Sequence, residues 1–229
     1  MKKIGLIGGM SYESTATYYN EINRKVNNKL GGLNSAEILL SSVNFEEIEL
    51  CQHENRWDDA GEILARHAKI LELGGADFIL ICTNTMHKVY EMVRASVKIP
   101  VIHIADATLK ALKECSVDKV GLFGTIYTMK EAFYKDKLSD GGVEVLLPSE
   151  DEMKFVNEVI FNELCFGKIS ATSRYKFLDI ISNLASRGAK GVILGCTEIG
   201  LLIDQSSTDV KLFDTTFIHI DEAVNLALG

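Results

Sequence analysis

A chain of 229 residues with 47% hydrophobic and 24% charged side chains lies in the globular range, long enough for one large domain or two of about 100 residues. The formal net charge of −8 argues against a general nucleic-acid or anionic-membrane surface, and no apolar run approaches the ~20 residues of a membrane span. The cysteines at 51, 82, 115, 165 and 196 show no CxxC spacing, and Met1-Lys2-Lys3 leads straight into Ile4-Gly5-Leu6-Ile7 without a signal core. Together they point to a reducing, cytoplasmic setting with no disulfide framework and no metal pattern.

In chain order, residues 3–7 read as a strand, and Gly8-Gly9-Met10-Ser11 as the turn into an amphipathic helix over about 12–30. The glycines at 5, 8 and 9 do not spell G-x-G-x-x-G, so a dinucleotide site is rejected. Close approach of backbone to a small anion at a helix start fits better, beside the plain alternative of a tight turn. Residues 36–42 read as the second strand, 45–52 and 57–73 as helices, and 76–81 as the strand that delivers Cys82 after a Gly74-Gly75 cap. A helix over 85–95 follows, then a short strand at 99–102 and a helix ending near Cys115.

The pattern then restarts. Lys119-Val120-Gly121-Leu122-Phe123-Gly124-Thr125 echoes Lys3-Ile4-Gly5-Leu6-Ile7-Gly8-Gly9, and Val192-Ile193-Leu194-Gly195-Cys196-Thr197-Glu198 echoes Phe78-Ile79-Leu80-Ile81-Cys82-Thr83-Asn84. Residues 144–147 read as a strand, 151–165 and 170–187 as helices, 210–214 as a strand and 216–228 as a closing helix. This is an internal duplication of one α/β unit rather than a short-period solenoid. The expected fold is α/β, with one domain over 1–104 plus 213–229 carrying Cys82, and a second over 105–212 carrying Cys196. The active site is expected in the cleft between them.

Each cysteine ends a short apolar run without alternation, the signature of a central parallel strand covered on both faces. Open parallel sheets bind ligands at the carboxyl ends of their strands, and a helix start there favours thiolate over thiol. Two thiols on opposite walls suit one reaction type: one thiolate removes a proton from carbon, and the other thiol returns a proton to the opposite face. Thr83, Asn84 and Thr85, and in the second half Thr125, Tyr127 and Thr128, offer donors for a carboxylate. Glu198 is placed to tune Cys196 or to bind an ammonium group. For each of these polar residues helix capping is the competing role.

Cys-Thr-Asn-Thr-Met-His (82–87), Gly-Cys-Thr-Glu-Ile-Gly (195–200) and the opening Gly-Gly-Met-Ser resemble the aspartate/glutamate racemase family over essentially the whole chain. The resemblance implies two Rossmann-like domains and a cofactor-independent, two-base racemase of acidic amino acids working without pyridoxal phosphate or metal, often as a homodimer. Carried over by motif, Cys82 and Cys196 are the catalytic pair, and Met10, Gln52, Thr83, Asn84, Thr85, Thr197 and Glu198 are substrate contacts. Cell-wall glutamate racemases open with Asp-Ser-Gly, which Gly8-Gly9-Met10-Ser11 does not match. Some aspartate-specific members place lysine about where Cys165 stands, leaving Arg56 or Lys168 to meet the side-chain carboxylate. Cys51 and Cys115 read as inert helix positions, Trp57 as packing, Cys165 as core or pocket wall, and His87 and His103 as polar residues near strand ends. The alternatives are a hydantoin racemase or maleate isomerase of the same layout, a binding protein without turnover, and a thiol redox protein.

Overall fold

The apolar runs of each half form a four-stranded sheet in which every pairing is parallel. The computed structural model describes residues 1–229. Its first sheet contains β1 (Ile4–Gly8), β2 (Ile38–Ser42), β3 (Phe78–Ile81) and β4 (Val101–Ile102) in the order β2-β1-β3-β4. The second contains β5 (Lys119–Gly124), β6 (Glu144–Leu146), β7 (Val192–Gly195) and β8 (Leu212–Asp214) in the order β6-β5-β7-β8. The two orders are the same once renumbered, so the duplication extends to topology.

The helices of the first half are α1 (Tyr12–Leu30), α2 (Phe45–His53), α3 (Trp57–Leu73) and α4 (Tyr90–Ala95). The remainder are α5 (Ile104–Glu114), α6 (Ile126–Lys130), α7 (Ala132–Asp140), α8 (Glu150–Asn162), α9 (Ala171–Ser186), α10 (Ile199–Leu202) and α11 (Thr215–Leu228). None is long and apolar enough to cross a membrane.

Alternate side chains of the first sheet point to opposite layers. Ile7, Ile79 and Ile81 pack with Ile48 of α2, Ala60, Leu64 and Ala68 of α3, and Val93 of α4. Ile4, Leu6, Phe78 and Leu80 pack with Tyr18, Ile22 and Val26 of α1 and with Ile220, Ala223, Val224 and Ala227 of α11. Every residue of β1, β3 and β7 is buried, as strands covered on both faces must be.

Several expected boundaries shift. The chain divides into one compact unit of 1–104 with 219–229 and another of 105–218, so the expected return at 213 moves to 219. The cause is β8, which pairs with β7, and Thr215, whose hydroxyl donates to the Leu194 carbonyl at 2.9 Å. The single helix expected over 85–95 is a 3-10 turn at Thr85–Val89 followed by α4. The helix expected over 151–165 starts at Glu150, capped reciprocally by Ser149 and Glu152, and stops at Asn162. A separate 3-10 turn at Leu164–Phe166 ends on Gly167 in the left-handed region. The strand expected at 99–102 shrinks to two residues after Pro100, which lacks an N–H but still accepts from the Ile79 amide at 2.9 Å. Helices α6 and α7 fill a stretch for which the sequence suggested no element.

Candidate active site

Cys82 follows β3 directly. Its N–H donates to the Ile7 carbonyl at 2.9 Å, continuing the strand ladder, and its carbonyl accepts the Ser14 hydroxyl at 2.8 Å. The Gly8-Gly9-Met10-Ser11 turn lies alongside because Ile7 and Ile81 are in register. Ser11 caps α1 through the Ser14 amide at 3.3 Å, while Thr15 donates to the Ser11 carbonyl at 2.8 Å and accepts the Gly9 amide at 2.7 Å. Gly9 has φ of +94°, and a Cβ there would lie 2.2 Å from the Val43 carbonyl oxygen. The glycine is thus required by packing against the chain leaving β2.

Thr83, Asn84 and Thr85 follow Cys82 directly in the chain, and Met10 and Gln52 meet at Met86. Gln52 of α2 donates to the Met86 sulfur at 3.1 Å, and Met10, Cys51 and Met86 share one apolar cluster. Met10, Gln52, Asn84 and Thr85 are all buried.

Cys196 repeats the placement after β7. Gly124 and Gly195 are in register, which sets Thr125 and Cys196 beside each other at the sheet end. A Cβ on Gly195 would stand 2.6 Å from the Phe123 carbonyl oxygen, so only glycine permits this strand spacing. The Cys196 thiol donates to Glu198 Oε2 at 3.0 Å, and the Thr197 hydroxyl donates to the same oxygen at 2.7 Å. All three residues are buried. The Thr125 side chain caps α6 through the Thr128 amide at 3.3 Å. Cys165, in the 3-10 turn after α8, is pushed up to about 12 by burial and by the charge of Glu198.

The expected thiolate-favouring helix end is overturned for both thiols. Burial alone pushes Cys82 up, while burial first and the Glu198 carboxylate second push Cys196 well up. The segments after the cysteines are a five-residue 3-10 turn and a four-residue helix, and neither Asn84 nor Glu198 caps them through its side chain. So little aligned backbone cannot offset loss of water around a thiolate. Burial thus favours the protonated form of both sulfurs.

The two cations suggested for a side-chain carboxylate have local partners. Arg56 is exposed and paired at 2.6 Å with both Glu54 and Asp59, and Lys168 lies 5.5 Å from the Phe166 ring centroid. Cys51 is a buried position of α2, and Cys115 is exposed one residue past α5, with the Lys211 amine 2.9 Å from its sulfur. The contributions of Ser14 and Thr15 had not been read from the sequence, although the Ser11–Ser14 spacing carries a capping signal.

A family profile described as Asp/Glu/Hydantoin racemase matches residues 7–223. The chain belongs to that family. A Yersinia pestis protein of known crystal structure, described as a candidate Asp/Glu racemase, is 46% identical, with both chains fully covered and a TM-score of 0.93. The aspartate racemase homologue of Pyrococcus horikoshii is 36% identical over both full chains, with a TM-score of 0.86. The broad specificity amino-acid racemase of Bacillus subtilis is 23% identical across 93% of this chain and 92% of its own. These relatives support racemase chemistry and an isomerase class for this family member, and its two parallel-sheet units are those of the family's solved structures.

Proposed function

We propose that this protein interconverts the L- and D-forms of aspartate, glutamate or both, with Cys82 and Cys196 as the two acid–base groups. One observation carries the reading. Each cysteine is the first residue beyond the corresponding strand of two duplicated sheets, β3 and β7, each flanked by two neighbours and followed by threonine and a buried polar residue. One thiolate takes the α-proton, the electron pair is held on the substrate carboxylate as an enolate, and the other thiol protonates the opposite face. The reverse reaction exchanges the roles.

The local chemistry of each half suits this division. Cys196 can pass its proton to Glu198 along the 3.0 Å contact, giving thiolate and carboxylic acid without changing the net charge of the pair. No carboxylate is among the groups shifting Cys82, which is poised instead as the proton-carrying thiol. Around Cys82, Thr83, Asn84 and Thr85 supply donors for the α-carboxylate, with Met10 and Gln52 as the wall; around Cys196, Thr125 and Thr197 supply donors, and Glu198, an acceptor, suits the substrate ammonium. The chemistry requires no cofactor or metal.

The test is α-proton exchange in D2O with L- and D-aspartate, L- and D-glutamate and no added cofactor. Deuterium incorporation with inversion by wild type is the expected result, with inversion lost in Cys82→Ala and in Cys196→Ala and exchange confined in each to the enantiomer facing the remaining thiol. Wild type inert toward all four amino acids refutes it, and hydantoins and maleate are the next substrates to try.

A further inference from the structure

Three of the most deeply buried polar side chains take no part in the proton transfers above. His87, His103 and His219 form a cluster in the first unit, with ring centroids 4.5 Å apart for His87 and His103 and 6.0 Å for His87 and His219. Tyr90 closes on His103 at 4.6 Å, and the Tyr18 hydroxyl meets His219 Nδ1 at 2.9 Å. The cluster sits where the chain leaves the first unit after Ile104 and where it returns at His219.

Hydrogen bonding fixes the ring of His87. Its Nε2 receives the Ile104 amide at 3.2 Å, and a backbone N–H can only donate. Its Nδ1 lies 2.9 Å from the Thr83 carbonyl oxygen, which can only accept. The ring is therefore neutral and protonated on Nδ1, because an imidazolium could not accept from Ile104. His219 is also neutral. Its Nε2–H donates to the Ile102 carbonyl at 3.1 Å, and burial first, with His87 nearby, pushes it down to about 3.

The Thr83 carbonyl is one peptide beyond the thiol-bearing residue. Three anchors therefore fix the Cys82 backbone: the Ile7 carbonyl on its N–H, the Ser14 hydroxyl on its C=O, and His87 on the next C=O. Only the third ties the thiol loop to α5, at whose first residue the chain leaves this unit. We propose that His87 is a positioning residue for Cys82, holding the Thr83 peptide against the start of α5 so that the Cys82 sulfur stays aimed at the substrate α-carbon. The inference rests on the racemase proposal for its meaning in turnover, and its geometry stands apart from it.

The experiment compares wild type, His87→Leu and His87→Asn, the last keeping a donor near the Nδ1 position. The enantiomer that Cys196→Ala still exchanges marks the Cys82 face. For that enantiomer, His87→Leu lowers kcat by about 10²-fold, the loss typical of a misaligned reacting group, while KM moves less than about 3-fold. The opposite enantiomer loses less in initial exchange, and His87→Asn recovers most of the rate. The second readout is independent of turnover: the ratio of iodoacetamide labelling at Cys82 to that at Cys196, by mass spectrometry. Histidine-to-leucine replacement changes this ratio by roughly tenfold with the Cys196 rate constant, and asparagine restores it. Equal losses for both enantiomers, or an unchanged ratio, overturn the proposal. If His87→Leu does not fold, the wild-type imidazole 15N spectrum decides, with Nδ1–H expected and Nε2–H fatal. Wild type inert toward every amino acid refutes the racemase proposal, and the labelling ratio then still decides the role of His87.

Discussion

Replacing Asp214 by asparagine will flatten one component of the pH dependence of stability. Asp214 ends β8 and caps α11, its Oδ1 accepting the amides of Thr216 at 2.9 Å and Phe217 at 3.3 Å. Burial nevertheless pushes its carboxyl from 3.8 to about 6, the cap bonds opposing the shift without cancelling it. The folded state then holds this proton more tightly than the unfolded chain. The protonated group's advantage is fully present below about pH 4 and is lost as pH rises through about 6. The gap corresponds to about 3 kcal/mol, a ceiling because part of the side chain meets solvent. Asparagine keeps the acceptor and carries no charge. Urea unfolding of both proteins between about pH 4 and pH 7 gives the difference directly. Wild type should lose stability relative to Asp214→Asn as pH rises through that window, then run parallel to it. Parallel curves throughout, or a relative gain by wild type with rising pH, would refute the reasoning.

Glu198→Gln removes the charge that, after burial, holds the Cys196 thiol up, so the midpoint of Cys196 alkylation moves to lower pH while that of Cys82 stays in place. An upward movement contradicts the contact. Gly195→Ala drives a Cβ into the Phe123 carbonyl oxygen at 2.6 Å and should cost about 1–3 kcal/mol, read as a lower Tm. Ser14→Ala removes the hydroxyl bound to the Cys82 carbonyl, costing roughly 1 kcal/mol and slowing exchange on the Cys82 face. Ser149→Ala opens the capping box of α8 at a cost of about 1 kcal/mol and leaves amino-acid exchange unchanged, since the cap serves only its helix.

The sheets were legible because their strands are short, apolar and repeated, and a repeated string ending in Cys-Thr fixes both position and partner. What escaped reading depended on contacts far apart in sequence. Residues 126–140 carry no strong apolar stripe, and the chain there breaks into α6 and α7 at Glu131. Residues 213–218 resembled a segment belonging to the first half, but β8 is held by β7 through a pairing that local pattern does not encode. The state of the thiols was misread for a physical reason. A Cys-Thr-polar string suggests a helix end, yet the turn that forms is too short to offset burial, which only the folded surroundings reveal. In sequence His87 reads as a polar residue near a strand end, and nothing in Cys-Thr-Asn-Thr-Met-His says that its ring reaches Ile104.

The packing of α11 against α1 has a consequence for biosynthesis. Residues 105–218 form an uninterrupted unit, whereas the first unit needs Ile220, Ala223, Val224 and Ala227 to cover one layer of its sheet, and Lys2 donates to the Ala227 carbonyl at 2.8 Å. On the ribosome the half that emerges first is thus the half completed last. Until α11 clears the exit tunnel, Ile4, Leu6, Phe78 and Leu80 lack part of their cover and offer apolar surface to chaperones or to neighbouring nascent chains. Translation halted before Ile220 would leave residues 105–218 complete in sequence and the first sheet short of that cover.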